Sequence, residues 1–233
     1  MKVLALSSSR SANSAYLQPA IPFLKKMFGA KSLHFIFIPF ASVGGYDQYC
    51  NKVAEGLKDF PFTIELIDKN DPVSSLKACD GVMVGGGNTF KLLHDLYEFD
   101  LVEILKNKVK AGLPYIGWSA GSNILGPSIS TTNDMPIIQP ESFSALQIFP
   151  FQINPHYYNQ SLPGFNGETR DQRIEEFLSL NNDGKVIALP EGSALIATND
   201  HISYHGKDAG FRFSIFQKNL KKVLLTDGET LTI

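Results

Sequence analysis

Residues 115–123 read Tyr-Ile-Gly-Trp-Ser-Ala-Gly-Ser-Asn. An apolar run that ends in Gly117-Trp118-Ser119-Ala120-Gly121 fits the pattern G-x-S-x-G. It reads as a buried strand turning sharply into a helix. Glycines on both sides of the serine remove the side chains that so tight a turn would drive together. A strand followed at once by a helix is one piece of a parallel β-α-β arrangement, so the rest of the chain is expected to repeat the pattern.

It does. Apolar runs at Val3–Ser7, Leu33–Phe40, Phe62–Ile67 and Gly81–Val84 come before Tyr115–Trp118, and segments with helical spacing lie between them at about 14–29, 46–59, 72–79 and 88–112. The runs are apolar nearly throughout, as strands buried on both faces must be. The fold class expected is α/β, with a mostly parallel central sheet and helices on both faces. Ile148–Asn154 and Val186–Leu189 read as further strands of that sheet, and Thr169–Leu180 as a helix. From Ala194 onward, ALIATND, HISYHG, FRFSIFQ and KKVLLTD predict a small antiparallel edge at the C-terminal end. With no linker or repeat, residues 1–233 are assigned to one domain.

Composition narrows the function classes. The 233 residues are 43% hydrophobic, enough for a core without disulfides. The two cysteines, Cys50 and Cys79, form no framework of spaced pairs and are expected to be small buried groups in a reducing compartment. A net charge of −2 with no basic block argues against nucleic acid as a partner. MKVLALSSSR has too short an apolar run for a signal peptide, and no stretch is long enough for a membrane span, so the cytoplasm is the expected location.

A serine hydroxyl becomes a nucleophile when a base takes its proton, and the base is usually a histidine oriented by a carboxylate. His156 ends FQINPH, just past an apolar run; Glu191 ends VIALPE, just past another. Chemistry in open α/β sheets gathers at the carboxyl ends of the strands, which puts Ser119, His156 and Glu191 on one rim. A second pairing also fits. Ser119, Glu191 and His205 follow the order serine, acid, histidine seen in α/β-hydrolases, although His201 and His205 fall in edge strands or their turns. His34 and His94 are expected to be structural. His201 and His205, four apart in a strand, are about 13 Å from each other and do not suit one metal.

The run Gly85-Gly86-Gly87-Asn88 follows a strand and opens a helix. It matches neither the dinucleotide fingerprint nor the phosphate loop. Two uses remain open: a backbone N–H at Gly87 acting beside that of Ala120 as an oxyanion donor, or a tight turn with Asn88 capping the next helix.

VGGGNTF, YIGWSAGSN, TTNDMPI, FQINPH, GETRDQRIEE and LPEGSAL, in this order, resemble the peptidase E family of α-aspartyl dipeptidases, from the first strand to about Ser193. The resemblance implies a fold like that of class I glutamine amidotransferases, with serine in place of their cysteine. It implies a Ser-His-Glu triad carried onto Ser119, His156 and Glu191, and hydrolysis of dipeptides with an N-terminal aspartate, without metal or cofactor. Cyanophycinases are relatives with the same turn, but NDMP and GETR side with peptidase E. Such a substrate needs a cation for its side-chain carboxylate and an acceptor for its free amine. Arg170 is the candidate for the first and Asp134 for the second, with Asn88 as a further substrate contact; Arg173 is left to the surface, paired with an acid such as Glu176. The chain is expected to act as a monomer or homodimer. A general esterase and a ligand-binding relative without catalysis are the competing classes.

Overall fold

The computed structural model describes residues 1–159, 164, 166–199 and 201–231. Five strands build the parallel part of a seven-stranded sheet: β1 (Lys2–Leu6), β2 (Leu33–Ile38), β3 (Phe62–Leu66), β4 (Gly81–Val84) and β5 (Tyr115–Trp118). β8 (Ala194–Thr198) and β9 (His201–His205) complete it in the order β3-β2-β4-β5-β1-β8-β9, both antiparallel to their neighbours. Asp200, the last residue of the ALIATND run, lies outside the described residues.

The strand period of two sends alternate side chains to opposite faces. Val3, Ala5, Ile36, Ile38, Val82, Val84, Leu195 and Ala197 share one apolar cluster with α4 (Thr89–Glu98), α5 (Leu101–Lys110) and α6 (Ala120–Asn123). Leu4, Leu6, Phe35, Phe37, Met83, Ile116 and Trp118 share the other with α1 (Ile21–Phe28) and α2 (Tyr46–Gly56). A short α3 (Pro72–Lys77) adds Leu76 to the first face. The mostly parallel sheet covered on both faces is the architecture expected from the sequence.

Two elements differ from the sequence reading. The segment 88–112 is two helices, not one, broken at Phe99-Asp100, where Asp100 adopts a φ of 54°. The segment 14–29 becomes helical only from Gln18, since Leu17 sits at a φ of 57° and Pro19 and Pro22 both fall at helix starts.

The second half departs further. β6 (Gln152–Tyr157) and β7 (Lys185–Pro190) do not join the main sheet. They pair in parallel within a separate four-stranded sheet, ordered β11-β10-β7-β6, with β10 (Gly210–Phe216) and β11 (Asn219–Leu225). Ile153, Ile187 and Leu189 face the cluster on the main sheet, whereas Val186, Ala188, Tyr157 and Phe213 face α7 (Arg170–Leu180). Of the expected antiparallel edge, β8 and β9 extend the main sheet while β10 and β11 belong to this second one. Both β6 and β7 deliver their carboxyl ends to the serine turn.

Candidate active site

The turn after β5 is fixed by contacts that only its own sequence allows. Ser119 takes φ 55° and ψ −114°, a conformation costing a non-glycine residue about 1–3 kcal/mol unless its surroundings impose it. They do. The Ser119 N–H donates to the Leu6 carbonyl at 3.1 Å, and the Ser119 carbonyl accepts from the amides of Ser122 and Asn123, each at 2.9 Å. The buried Ser122 hydroxyl bridges the carbonyls of Leu6 and Gly117. A Cβ on Gly117 would stand 2.4 Å from the Gly121 carbonyl oxygen, and one on Gly121 would stand 2.2 Å from that of Val84. The glycines are therefore required by close backbone approach, and the serine side chain is the one left to project.

His156 reaches it from β6. The pairing of β6 with β7 shifts register between Asn154 and Tyr157, and His156 itself adopts a φ of 54°. Such a bulge re-aims a side chain. Here it brings Nε2 to 2.9 Å from Ser119 Oγ, and Nδ1 to 3.1 Å from Oε1 of Glu191, which follows β7. With the Nδ1 proton donated to the carboxylate, Nε2 is left to accept from the hydroxyl. The imidazole and the carboxylate are both well exposed, the Glu191 side chain at 57%. An exposed pair contributes about 0–1 kcal/mol to stability, so its effect is orientation of the ring.

The alternative base is engaged elsewhere. His205 Nε2 lies 2.9 Å from Ser203 Oγ, and Nδ1 lies 3.3 Å from Asp227 Oδ1. His34 is bound to Glu65 and the Ala78 carbonyl, and His94 to Asp95.

Gly87 sits at a φ of 141°, and a Cβ there would meet the Ala41 carbonyl oxygen at 2.3 Å. Neither its N–H nor that of Ala120 finds an acceptor among the described residues. Gly86, Gly87, Ser119, Trp118, Asp134 and His156 line one cleft of about 410 Å³, together with Ser9, Tyr16, Tyr49 and Lys52. Asn88 does cap α4, its Oδ1 accepting from the Lys91 amide, while Nδ2 donates to the Met135 carbonyl. Both polar ends of that side chain are occupied within the protein.

Asp134 divides its carboxylate. Oδ2 accepts from the Thr89 amide at 2.7 Å, the Thr89 hydroxyl at 2.6 Å and the Thr132 hydroxyl at 3.1 Å. Oδ1 accepts from no group among the described residues. Arg170, the first residue of α7, lies beside the neighbouring Asn133, donating through Nη1 to its Oδ1, with the guanidinium 5.1 Å from the Tyr158 ring centre. Its Nε is buried without a partner, and burial pushes the guanidinium pKa down. No carboxylate pairs with it among the described residues. Arg173 instead reaches Glu168 at 3.7 Å on the surface, rather than Glu176.

Sequence reasoning missed Ser7. Its buried hydroxyl accepts from the His156 amide at 2.9 Å and donates to the Leu189 carbonyl at 2.7 Å. It also missed Tyr16, Tyr49 and Lys52. The run Ser7-Ser8-Ser9-Arg10 at the carboxyl end of the strand beside β5 was the available signal; nothing in the spacing of α2 marks Tyr49 or Lys52.

The profile of peptidase family S51 matches residues 3–205. The chain belongs to peptidase family S51. Peptidase E of Shewanella oneidensis is 49% identical over 215 residues, covering 91% of each chain. That of Shewanella amazonensis is 46% identical over 222 residues, covering 94% of each. Among solved structures, a putative peptidase E from Listeria monocytogenes EGD-e superposes with a TM-score of 0.70 at 21% identity, over 89% of this chain and 98% of that one. A peptidase from an acI-B1 actinobacterium gives 0.69 at 18% identity, over 100% and 96%. This S51 member is thus a serine-type peptidase by family, with the α/β fold of those structures. None of its described helices is long and apolar enough to cross a membrane.

Proposed function

We propose that this S51 peptidase hydrolyses dipeptides with an N-terminal aspartate through an acyl-enzyme on Ser119. The observation that carries the reading is the unbroken contact from Ser119 Oγ through the His156 ring to Glu191. His156 takes the hydroxyl proton as Ser119 attacks the peptide carbonyl. Glu191 holds the ring and offsets the imidazolium charge. The unengaged amides of Gly87 and Ala120 receive the oxyanion, a contact worth about 10²–10³ in rate per donor. His156 then passes its proton to the leaving amine. Water, deprotonated by the same ring, releases aspartate.

Selection of aspartate falls to Arg170, whose planar fork suits a carboxylate and which has none within the described protein. The open oxygen Oδ1 of Asp134 takes the substrate ammonium while Oδ2 holds the start of α4. Asn88 serves this site by fixing that same helix start. We take residues 1–233 as one catalytic domain, because the triad draws on both sheets, and we place the reaction in the cytoplasm, in keeping with the unpaired Cys50 and Cys79.

The test is a panel of Asp-X and Ala-X dipeptides, a cyanophycin-type β-aspartyl-arginine substrate and a simple ester, each with wild type and Ser119→Ala. Ser119-dependent cleavage confined to Asp-X supports the proposal. Preference for the β-aspartyl bond or the ester overturns the substrate assignment, and binding of Asp-X without cleavage overturns the catalytic one.

A further inference from the structure

The cleft in front of Ser119 is lined by groups of both charges: Asp134, with its open oxygen, and Lys52, together with Ser9, Tyr16, Tyr49 and Trp118. Of these, Tyr49 is fully engaged: its hydroxyl donates to the Gly86 carbonyl and accepts from Trp118 Nε1, both at 3.0 Å. The Tyr16 hydroxyl is buried beside the polar groups of Tyr49, Trp118 and Ser9, but makes no well-aligned hydrogen bond among the described residues. Burial, and secondarily Tyr49, pushes that phenol well above the usual range, so it stays a neutral O–H donor.

Two cations stand over the Tyr16 ring, Lys52 Nζ at 4.5 Å and the Arg10 guanidinium at 5.9 Å from its centre. No carboxylate lies within ion-pair distance of either among the described residues. Lys52, a cleft-lining cation with no carboxylate beside it, above a phenol whose hydrogen lacks a well-aligned acceptor, suits an anion.

We propose that Lys52, with the Tyr16 hydroxyl, takes the free α-carboxylate of the substrate's second residue and so limits the enzyme to dipeptides. The inference rests on the Asp-X reading above. With the aspartyl ammonium on Asp134 and its carbonyl at Ser119, the leaving residue lies in the remaining part of the same cleft, which Lys52 and Trp118 line. Its carboxyl carbon is two bonds beyond the leaving nitrogen, about 2.5 Å from it. A longer peptide would set a neutral amide there, leaving the cations and the buried phenol without a charged acceptor.

The experiment compares kcat/KM for Asp-Leu and Asp-Leu-amide, which differ only in that charge, in wild type, Lys52→Gln, Lys52→Arg and Tyr16→Phe. A charge-assisted contact of this kind predicts a wild-type preference for the free acid of about 10–100-fold. In Lys52→Gln the ratio falls toward one, in Tyr16→Phe it falls part-way, and in Lys52→Arg it is kept. A wild-type ratio near one, or a Lys52→Gln ratio equal to that of wild type, overturns the proposal. So does a Lys52→Gln enzyme that instead loses its preference for Asp-Leu over Ala-Leu, which would assign Lys52 to the aspartate side chain. Failure of wild type to cleave either compound would overturn the dipeptidase reading itself, and is seen before any variant is compared.

Discussion

The hydroxyl of Ser7, at the end of strand β1 beside β5, accepts the amide hydrogen of His156 at 2.9 Å. It donates in turn to the Leu189 carbonyl, two residues before Glu191. One buried side chain on the main sheet thus locates both strands of the second sheet that carry the base and its acid. Replacing Ser7 by alanine leaves an N–H and a carbonyl without that partner, at about 1–3 kcal/mol. For a chain of this length that is roughly 2–10 °C in Tm. Because the imidazole is also released from its aim, kcat should fall about 10–100-fold while KM changes little. Calorimetry and steady-state kinetics on the same preparation check both; an unchanged kcat would remove Ser7 from the site.

Glu191 holds a ring, so its loss should cost rate rather than stability. Glu191→Gln presents an amide to Nδ1, which can favour the wrong tautomer. A loss of about 10³–10⁴ in kcat is expected, with Tm within about 1 °C of wild type, as befits an exposed pair. A Gln variant within a few-fold of wild-type kcat would mean that the carboxylate does not set the ring.

Arg170→Ala should lower kcat/KM for Asp-Leu by about 10–100-fold, while Ala-Leu, already poor, changes little. Arg170→Lys should restore only part, since an ammonium lacks the planar fork. If the alanine variant keeps the wild-type preference for aspartate, selection lies elsewhere.

Five phenols, those of Tyr16, Tyr49, Tyr115, Tyr157 and Tyr204, are pushed up chiefly by burial, that of Tyr204 to about 12. In the unfolded chain each ionises near the ordinary value of about 10. Their neutral, folded forms therefore favour the native state fully below about pH 10, and that advantage is lost as pH climbs through the raised values. The protein should lose stability steeply above about pH 10, with phenolate absorbance near 295 nm appearing together with loss of the far-ultraviolet helix signal. Titration of all tyrosines near pH 10 with the fold intact would contradict these burials.

The parallel core was legible because strands buried on both faces must be apolar and because the glycines of Gly117 to Gly121 announce a tight turn. What was not legible was the partition of β6 and β7 into a second sheet. Ile153, Ile187 and Leu189 are apolar in either arrangement, so local pattern does not distinguish them. The choice between His156 and His205 was closed to spacing for a related reason. It depends on a register shift and a positive φ at His156, which tertiary packing imposes on an otherwise ordinary strand end. The break at Asp100 was hidden because Leu101, Val102 and Leu105 continue an apolar face that would also suit one long helix. Lys52 and Tyr16 carried no signal, for their meaning arises where α2 and the chain after β1 meet the serine turn.

The central claim is that Ser119 and His156 act as one unit on Asp-X dipeptides. It is tested most directly by kcat for Asp-Leu in Ser119→Ala, His156→Ala and the double variant. Residues that act together give losses that do not add. Each single substitution should cost about 10⁴-fold or more, and the double should cost no more than the worse single. A Ser119→Ala enzyme that keeps most of its activity, or a double variant whose loss is the product of the two singles, would contradict the account.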